Sequence, residues 1–254
     1  MIKYGIASYH RPECKTLKTL LKLGIDKSNI TISLNDINDY NTYKELYKDI
    51  RVIYKEGNCV ANNRNNLLEN HNVGDKLIIL DDDITSFRRW LPNNENSKYG
   101  KLHKIETKEE LEEILEDCFK ETQKLGNNKF GIYAISNTMM IKGTIETQGL
   151  YSINKMFQGC FCGFIVDENT RYDNDFRVLD DYELVLRDIK QGKYVLRRND
   201  LVSDTPKMGS SSGGYYNLYR QGIQKQYMLK LAEKYPGMFN IKKDYGGIIL
   251  KKGL

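Results

Sequence analysis

The sequence has few histidines, an odd number of cysteines and no long apolar stretch. No run reaches the roughly 18 apolar residues that a membrane-spanning helix needs, and the first residues have a strand pattern instead of that of a signal peptide. Only three His are present, and no cysteine has a His at zinc-finger spacing. We therefore expect a soluble, cytoplasmic protein with no membrane span and no zinc finger.

The five cysteines are interpreted as reduced, mostly buried thiols. They are widely scattered apart from Cys160 and Cys162, which form one C-x-C pair. On a strand, these two side chains point to the same face. A metal-binding pair is thus the alternative, and core packing is the favoured interpretation.

The composition is that of a folded protein. Hydrophobic residues make up 40% and aromatic residues 11% of the 254 residues, with 18 Tyr against 8 Phe. No internal repeat or composition break divides the chain, so we predict one domain. The net charge of +5 permits a polyanionic partner but does not identify one.

Short apolar runs alternate with helical patterns in the first part of the chain. Helices are expected between these runs, including one from Thr42 to Ile50. This alternation indicates right-handed crossovers and an α/β fold, with a mixed, mainly parallel sheet and helices on both faces. The predicted strands are 2–8, 29–34, 51–54 and 76–80.

The second part of the chain has a less regular pattern. A capping box formed by Thr107 and Glu110 predicts the start of a helix that ends at Gly126. Residues 91–104 are polar and rich in turn formers, which predicts a loop. The other predicted elements are strands at 130–135, 159–166 and 246–250, and helices at 179–190 and up to Tyr235.

Three adjacent carboxylates, Asp81, Asp82 and Asp83, directly follow the apolar strand KLIIL. In open α/β sheets, ligands bind at the carboxyl ends of the strands. Because like charges repel, such a cluster is tolerated most easily when a divalent cation or a hydrogen-bond network offsets the charge. Mg²⁺ and Mn²⁺ prefer oxygen ligands and commonly join one or two carboxylates to phosphates. The cluster therefore predicts a metal site, and a solvent-facing acidic turn is the alternative.

Three segments in the same order resemble the glycosyltransferase-A superfamily with its D-x-D motif. They are ASYHRPE after the first strand, GNCVANNRNNLL after the third, and LIILDDDI. More narrowly, the sequence resembles the phage and TET-associated glycosyltransferases, which modify hydroxymethylated pyrimidines in DNA. The resemblance covers residues 1–90, and the rest in outline only. It implies a Rossmann-like fold with a nucleotide-sugar-binding half at 1–90 and an acceptor-side half with a C-terminal helix at 91–254. If a phage encodes the chain, the protein is expected in the host cytoplasm.

The resemblance implies a donor site along the carboxyl edge of the sheet. Several of its members have a simpler interpretation: Tyr9 and Arg11 as a turn before Pro12, an Asn-Asp turn after the second strand, and Arg64 as a surface helix residue. The Ser/Gly stretch after Lys207 is also typical of a flexible loop. The implied donor-binding residues are Ala7, Ser8, Tyr9, Arg11, Asn35, Asp36, Asn58, Arg64, Asp81, Asp82, Lys207, Gly213 and Gly214.

Metal ligands and catalytic acids are implied by the same resemblance. Asp83 and Asp81 correspond to the D-x-D metal site, and Asp204 stands where superfamily members often supply a His, which this chain lacks after His103. Asp181, with Asp180 as its substitute, resembles the carboxylate that takes the proton of the acceptor hydroxyl. Acids in the first turn of a helix are also favoured by the helix dipole alone.

The expected reaction is transfer of a sugar from a nucleotide diphosphate sugar, a UDP-sugar, to a hydroxyl acceptor with Mn²⁺ or Mg²⁺. The expected acceptor is a 5-hydroxymethylpyrimidine in phage DNA, flipped out or already exposed. A glycosyltransferase of surface polysaccharide synthesis, a metal-dependent nuclease and a non-catalytic binding module are the alternatives. We expect four residues to help hold the nucleic acid: Tyr215, Tyr216, Tyr219 and Arg220. Their helical spacing also suits core packing, which is the alternative.

Overall fold

The first part of the chain folds as alternating strands and helices. The structure is a computed structural model, and it describes residues 1–11, 13–92, 99–133, 138–157, 159–206, 222–243 and 247–251. The elements up to the acidic cluster are β1 (Ile2–Ala7), α1 (Lys15–Lys22), a 3₁₀ turn (Lys27–Asn29), β2 (Ile30–Leu34), α2 (Ile37–Leu46), β3 (Arg51–Tyr54), α3 (Val60–Glu69) and β4 (Lys76–Asp81).

The second part adds nine strands and four helices within the described residues. They are β5 (Ser86–Leu91), β6 (Lys101–Lys104), α4 (Lys108–Lys124), β7 (Lys129–Ile132), α5 (Thr138–Gln148), β8 (Tyr151–Ile153), β9 (Phe161–Ile165), α6 (Asp180–Lys190), β10 (Leu196–Arg198), β11 (Leu201–Asp204), α7 (Ile223–Lys234), β12 (Phe239–Ile241) and β13 (Ile248–Leu250).

The central sheet has eight strands in the order β3-β2-β1-β4-β9-β7-β10-β8. β1 runs parallel to β2 and β4, and β10 runs parallel to β7. β9 is antiparallel to both β4 and β7, so β7 has the direction of β4. The carboxyl ends of β1, β2, β4, β7 and β10 therefore lie at one edge of the sheet.

Both faces of this sheet are covered by helices. Ile78 and Leu80 of β4 point into a core that contains residues of α1, α2 and α4. Leu77 and Ile79, which alternate with them, point into a second core with residues of α3, α6 and α7. This alternation explains why β4 is apolar without interruption, and the predicted fold class is confirmed.

Helix α2 begins earlier than predicted, so the expected start at Thr42 is wrong. Asp36 is the N-cap, and its Oδ1 accepts hydrogen bonds from the backbone N–H groups of Asn38 and Asp39. The apolar pattern could not show this start because Tyr43 is the single fully buried residue of α2. A side-chain cap thus sets the boundary.

A second, antiparallel sheet directly follows the acidic cluster, in the order β11-β5-β6. The loop predicted over 91–104 is wrong at residues 101–104, which form β6 opposite β5. The short sequence KLHK has one apolar residue, Leu102, which pairs with Trp90. The strand therefore depends on a cross-strand partner that no local pattern reveals.

Other predictions on local structure hold. Thr107 caps α4 by accepting a hydrogen bond from the backbone N–H of Glu110. The apolar side of α4 is buried as expected. All five cysteines are free, and all but Cys160 are buried. Among the described residues, no helix is long and apolar enough to cross a membrane.

Candidate functional site

The acidic turn at the end of β4 is hydrogen-bonded to the first turn of α1. Thr16 Oγ1 donates to the carbonyl of Asp81 at 2.5 Å and accepts from the backbone N–H of Ile84 at 2.9 Å. The backbone N–H of Thr16 donates to the carbonyl of Asp82 at 3.1 Å. One threonine thus fixes the path of the chain through the three aspartates.

Asp82 turns inward, with 3% of its surface exposed. Its Oδ2 accepts a hydrogen bond from Ser8 Oγ at 2.6 Å, and its Oδ1 accepts one from Arg11 Nη1. A weaker bond joins the backbone N–H of Tyr9 to Oδ2 at 3.4 Å. Asp82 therefore joins the ends of β1 and β4, and its contact with a donor stays a prediction.

Asp83 and Asp81 are the more accessible acids of the turn, with side chains 17% and 33% exposed. Asp83 Oδ2 accepts a hydrogen bond from Arg11 Nη1 at 2.8 Å. Burial raises the pKa of Asp83 to about 6, and the charge of Asp81 adds to the rise while Arg11 opposes it. Two accessible carboxylates whose charge is only partly offset are suitable ligands for Mg²⁺ or Mn²⁺.

Arg64 of α3 joins the two acidic groups of the sequence. It is 4% exposed, so the alternative of a surface helix residue is wrong. Its Nη2 donates to Asp81 Oδ1 and to the carbonyl of Gly159, both at 2.8 Å, and its Nη1 donates to Asp180 Oδ2 at 2.7 Å. Burial would lower the pKa of Arg64, but Asp180 and Asp81 raise it. The start of α6 therefore lies against the end of β4.

Three buried asparagines beside Arg64 were missed by the sequence analysis. Asn63 Nδ2 donates to the carbonyl of Ser8 at 2.8 Å, and Asn66 Nδ2 donates to Ser33 Oγ at 3.0 Å. Asn65 exchanges two hydrogen bonds with the backbone of Tyr172, at 2.9 and 2.7 Å. The signal was present as NNRNN, a polar run just before the apolar residues of one helix. These bonds position α3 and thereby Arg64.

The acids at the start of α6 differ in their surroundings. Asp180 is buried and bound by Arg64, whereas Asp181 is partly exposed. Burial raises the pKa of Asp181 to about 7, and the charge of Asp180 adds to the rise. Gly159 lies against Asp181, because a Cβ added there would be 2.6 Å from Asp181 Oδ2. Leu179, at the N-cap, has a φ of 63°, an uncommon conformation for leucine.

The predicted residues at the ends of β2 and β3 have mixed surroundings. Asn35 Nδ2 donates to the carbonyl of Cys59 at 2.9 Å, while its buried Oδ1 has no hydrogen-bond partner in the described part of the chain. Asp36 is the N-cap of α2, which agrees with the alternative that Asn35 and Asp36 form a turn. Asn58 is exposed, and its backbone N–H donates to Asn62 Oδ1 at 3.0 Å. The donor contacts of these residues stay predictions.

Arg177 is a cation of this edge that the sequence analysis missed. Its charge opposes the rise that burial causes in the pKa of Tyr9 and of Cys59, so it lies near the ends of β1 and β3. Within the ranges that the structure describes, its buried Nε has no hydrogen-bond partner and its guanidinium forms no ion pair. No sequence pattern marked it, because it stands in a loop without periodicity.

Asp204 lies at the end of β11 and is bound within the small sheet. Its carboxylate accepts hydrogen bonds from Ser86 Oγ and Arg88 Nη2. The role of Asp204 as a metal ligand stays a prediction. The other predicted residues of the late chain, Lys207, Gly213, Gly214, Tyr215, Tyr216, Tyr219 and Arg220, lie outside the described residues.

The three adjacent aspartates do not converge on one point. Among the residues described, the group whose three potential ligand atoms lie within 4.8 Å of one another is His10, Asp36 and Asp39. It lies at the ends of β1 and β2, and its His10 is exposed. At the acidic turn, an ion would thus have one or two carboxylate ligands and complete its shell with water or phosphate.

Comparisons with known proteins find similarity at the level of the fold. No family model matches the sequence, and no curated protein does. The chain is similar to the mannosyltransferase PcManGT from Pyrobaculum calidifontis in complex with GDP-Man and Mn²⁺, with a TM-score of 0.58 and 12% identity over 92% of this chain and 63% of that one. It also matches CMP:2-keto-3-deoxy-manno-octonic acid synthetase complexed with CTP, with a TM-score of 0.47 and 8% identity over 90% and 99%. The chain thus spans less than two thirds of the mannosyltransferase.

Proposed function

We propose that this chain is a metal-dependent glycosyltransferase that takes its sugar from a nucleotide diphosphate sugar. The observation that carries the proposal is the position of Arg64, hydrogen-bonded to Asp81 and Asp180. The acids after β4 and the acids of α6 thus lie at one edge of the sheet. A cation at the leaving diphosphate and a base at the acceptor oxygen both favour sugar transfer to a hydroxyl. The fold shared with a mannosyltransferase that binds GDP-Man and Mn²⁺ supports the proposal.

On the donor side, Asp83 and Asp81 would hold Mn²⁺ or Mg²⁺, which when bound neutralises charge on the diphosphate. Asp82 acts within the protein, because its bonds to Ser8 and Arg11 orient the end of β1. Arg11, and Arg177 between β9 and α6, place guanidinium groups at this edge, and guanidinium groups suit phosphate oxygens. Residues 1–90 accordingly form the donor half of one domain.

On the acceptor side, we assign the role of base to Asp181. Asp180 is unsuitable because its carboxylate is already bound by Arg64. A pKa of about 7 leaves Asp181 ready to accept a proton near neutral pH. The acceptor hydroxyl gives its proton to Asp181 while its oxygen bonds to the anomeric carbon, and the bond from that carbon to the diphosphate breaks.

The finer assignments rest on the sequence resemblance. They are a UDP-sugar as donor and a 5-hydroxymethylpyrimidine in DNA as acceptor. The net charge of +5 is compatible with a polyanionic acceptor. An enzyme with a polysaccharide acceptor would use the same donor-binding residues. The DNA and polysaccharide alternatives are therefore distinguished by comparing acceptors in the experiment.

The test is release of nucleoside diphosphate from a panel of nucleotide sugars with Mn²⁺. The acceptor arms are plain DNA, hydroxymethylpyrimidine DNA, and none. Release that depends on Asp83 and Asp181 is expected, with a sugar-sized mass gain on the modified DNA and a loss of about 100- to 10,000-fold for Asp181→Asn. Asp175→Asn, which removes a charge from an exposed loop residue, is the matched control.

Three outcomes contradict parts of the proposal. Release of nucleoside diphosphate at the same rate with and without either DNA would still support a glycosyltransferase but would exclude DNA as the acceptor. Cleavage of plain DNA without donor turnover replaces the glycosyltransferase by a nuclease. Donor binding without turnover, unchanged in Asp181→Asn, indicates a binding module.

A further inference from the structure

The buried guanidinium of Arg197 in β10 has no carboxylate partner among the described residues. It is 8% exposed, and its hydrogen bonds go to neutral oxygens: Nε to Asn199 Oδ1 at 3.0 Å and Nη1 to the carbonyl of Met156 at 2.9 Å. Its neighbour Arg198 is bound by Asp117 at 2.6 Å and by Asp200 at 3.2 Å. Buried charges in proteins are normally paired. Arg197 is the exception in this strand.

The position of Arg197 is the second observation. β10 is parallel to β7, with Arg197 opposite Gly131, and the Arg197 guanidinium lies 4.7 Å from the ring centroid of Tyr133, just beyond the end of β7. The carboxyl ends of β7 and β4 share one edge of the sheet. Arg197 therefore faces the edge that carries the acidic turn, on the side away from β1 and β2.

Met156 and Gly159 place Arg197 near Asp181. The carbonyl of Met156 accepts from Arg197, and Gly159, three residues later, lies against Asp181. Three residues span at most about 11 Å of chain. A molecule whose hydroxyl lies at Asp181 thus extends to Arg197 if it is about the size of a nucleotide.

The guanidinium keeps donors for a ligand. Arginine has five N–H donors in one plane, and in the described part of the chain the bonds of Arg197 use Nε and Nη1. Nη2 makes no hydrogen bond to any described residue. The Tyr133 ring holds the plane of the group. Burial lowers the pKa of Arg197 to about 10, which agrees with a charge that no carboxylate of the described residues offsets.

We propose that Arg197 binds a phosphate group of the acceptor, with Nη2 and the remaining Nη1 proton donated to its oxygens. The inference rests on the proposed function because it places the acceptor beside Asp181. It adds a chemical class to the acceptor, a phosphate ester, and a residue that positions it. Phosphate in a DNA backbone and free phosphate share this chemistry, and the experiment separates them.

The experiment is calorimetric titration of the full chain, with Mn²⁺ and UDP present to fill the donor side. The two titrants are inorganic phosphate and a short single-stranded oligonucleotide. Arg197→Gln removes the charge, and Arg197→Lys keeps it but loses the planar group. Arg51→Gln is the matched control, since Arg51 is exposed at the amino end of β3, away from the site, and its side chain bonds to Asn70 alone among the described residues.

We expect Arg197→Gln to weaken phosphate binding about 10- to 100-fold, the loss typical of a hydrogen bond to a charged group. Arg197→Lys should be intermediate, and Arg51→Gln should bind like the wild type. Parallel loss for the oligonucleotide supports a backbone phosphate of the acceptor, whereas loss for inorganic phosphate alone indicates a free-phosphate site and overturns the assignment to the acceptor. Equal binding by the wild type and Arg197→Gln, or no binding by the wild type, overturns the proposal.

Two further measurements keep the test decisive. If Arg197→Gln does not fold by circular dichroism, the comparison uses Arg197→Lys, and equal binding of phosphate by this variant and the wild type overturns the proposal. Donor turnover by the wild type is measured separately with each DNA and polysaccharide acceptor. Its absence together with Arg197-dependent phosphate binding would reject the glycosyltransferase and leave the anion site standing.

Discussion

Removing the Arg64 guanidinium should destabilise the protein strongly, and in a manner that depends on pH. In Arg64→Met the side chain keeps much of its length but loses its charge, and Asp180 stays buried without a partner. Asp81, a third exposed, recovers part of its solvation from water. The cost therefore falls mainly on Asp180.

The magnitude follows from that burial. Breaking a buried ion pair by removing one partner costs about 3–5 kcal/mol. For a chain of this size each kcal/mol corresponds to about 2–4 °C, so the melting temperature at pH 7 should fall by about 6–20 °C. Without Arg64, the pKa of Asp180 in the folded state rises further above its unfolded value. The penalty is thus present at neutral pH and is relieved as pH falls and the carboxyl group binds a proton.

The assay is thermal unfolding between pH 4 and pH 8, followed by circular dichroism. The double variant Arg64→Met/Asp180→Asn should recover most of the loss at pH 7 because it removes the stranded charge. Arg51→Met, at an exposed arginine, is the control and should change the melting temperature little. A loss below about 1 kcal/mol in Arg64→Met, or a loss equal at pH 4 and pH 7, would refute the reasoning.

Three other predictions concern the acids of α6 and its neighbours. The rate of donor turnover should rise about tenfold per pH unit up to about pH 7, because Asp181 must be ionised to act as base, and a flat pH profile excludes this role. Asp181→Asn should also melt at a higher temperature than the wild type at pH 8, since a raised carboxyl pKa means that the ionised group destabilises the folded state. Gly159→Ala should displace the Asp181 carboxylate and lower kcat about 100-fold, while the affinity for Mn²⁺ in calorimetry stays unchanged. A variant with the kcat of the wild type would show that the contact between Gly159 and Asp181 is unimportant. Thr107→Ala should cost about 1 kcal/mol in denaturant unfolding and leave turnover unchanged, and an undiminished stability contradicts the cap.

Local sequence signals were sufficient to predict the strands of the first part of the fold and the start of α4. β4 is apolar on both faces, so its run KLIIL marks a central strand, which pairs in parallel with β1 and antiparallel with β9, and the position of Asp81 at its end follows. The cap at Thr107 is equally local. Such features depend on residues within a few positions of one another. They can be predicted without knowledge of the tertiary structure.

The connections across the site could not be predicted in this way. Arg64 and Asp180 are 116 residues apart, and their ion pair exists because α3 and α6 cover the same face of the sheet. The local sequence pattern of α3 cannot show which carboxylate Arg64 binds. The charge argument for the acidic turn was incomplete for the same reason, since Arg11 and Arg64 both offset it within the protein.

Weakly patterned elements were missed for a different reason. α5 contains β-branched residues and Gly143, and Ile141 is its one fully buried residue. β8 and β10 have three residues each and pair with one another at the end of the sheet. Such short segments have no period to detect. Their structure comes from partners supplied by the rest of the molecule.

The small sheet has a consequence for how this protein tolerates changes in length. Only four residues separate Asp81, the end of β4, from Ser86, the start of β5, and Ser86 pairs with Asp204 in β11. Because side chains on a strand alternate between faces, inserting one residue into β11 would turn Asp204 away from Arg88. Insertions should therefore not be tolerated along the path from β4 to β5 or within β11.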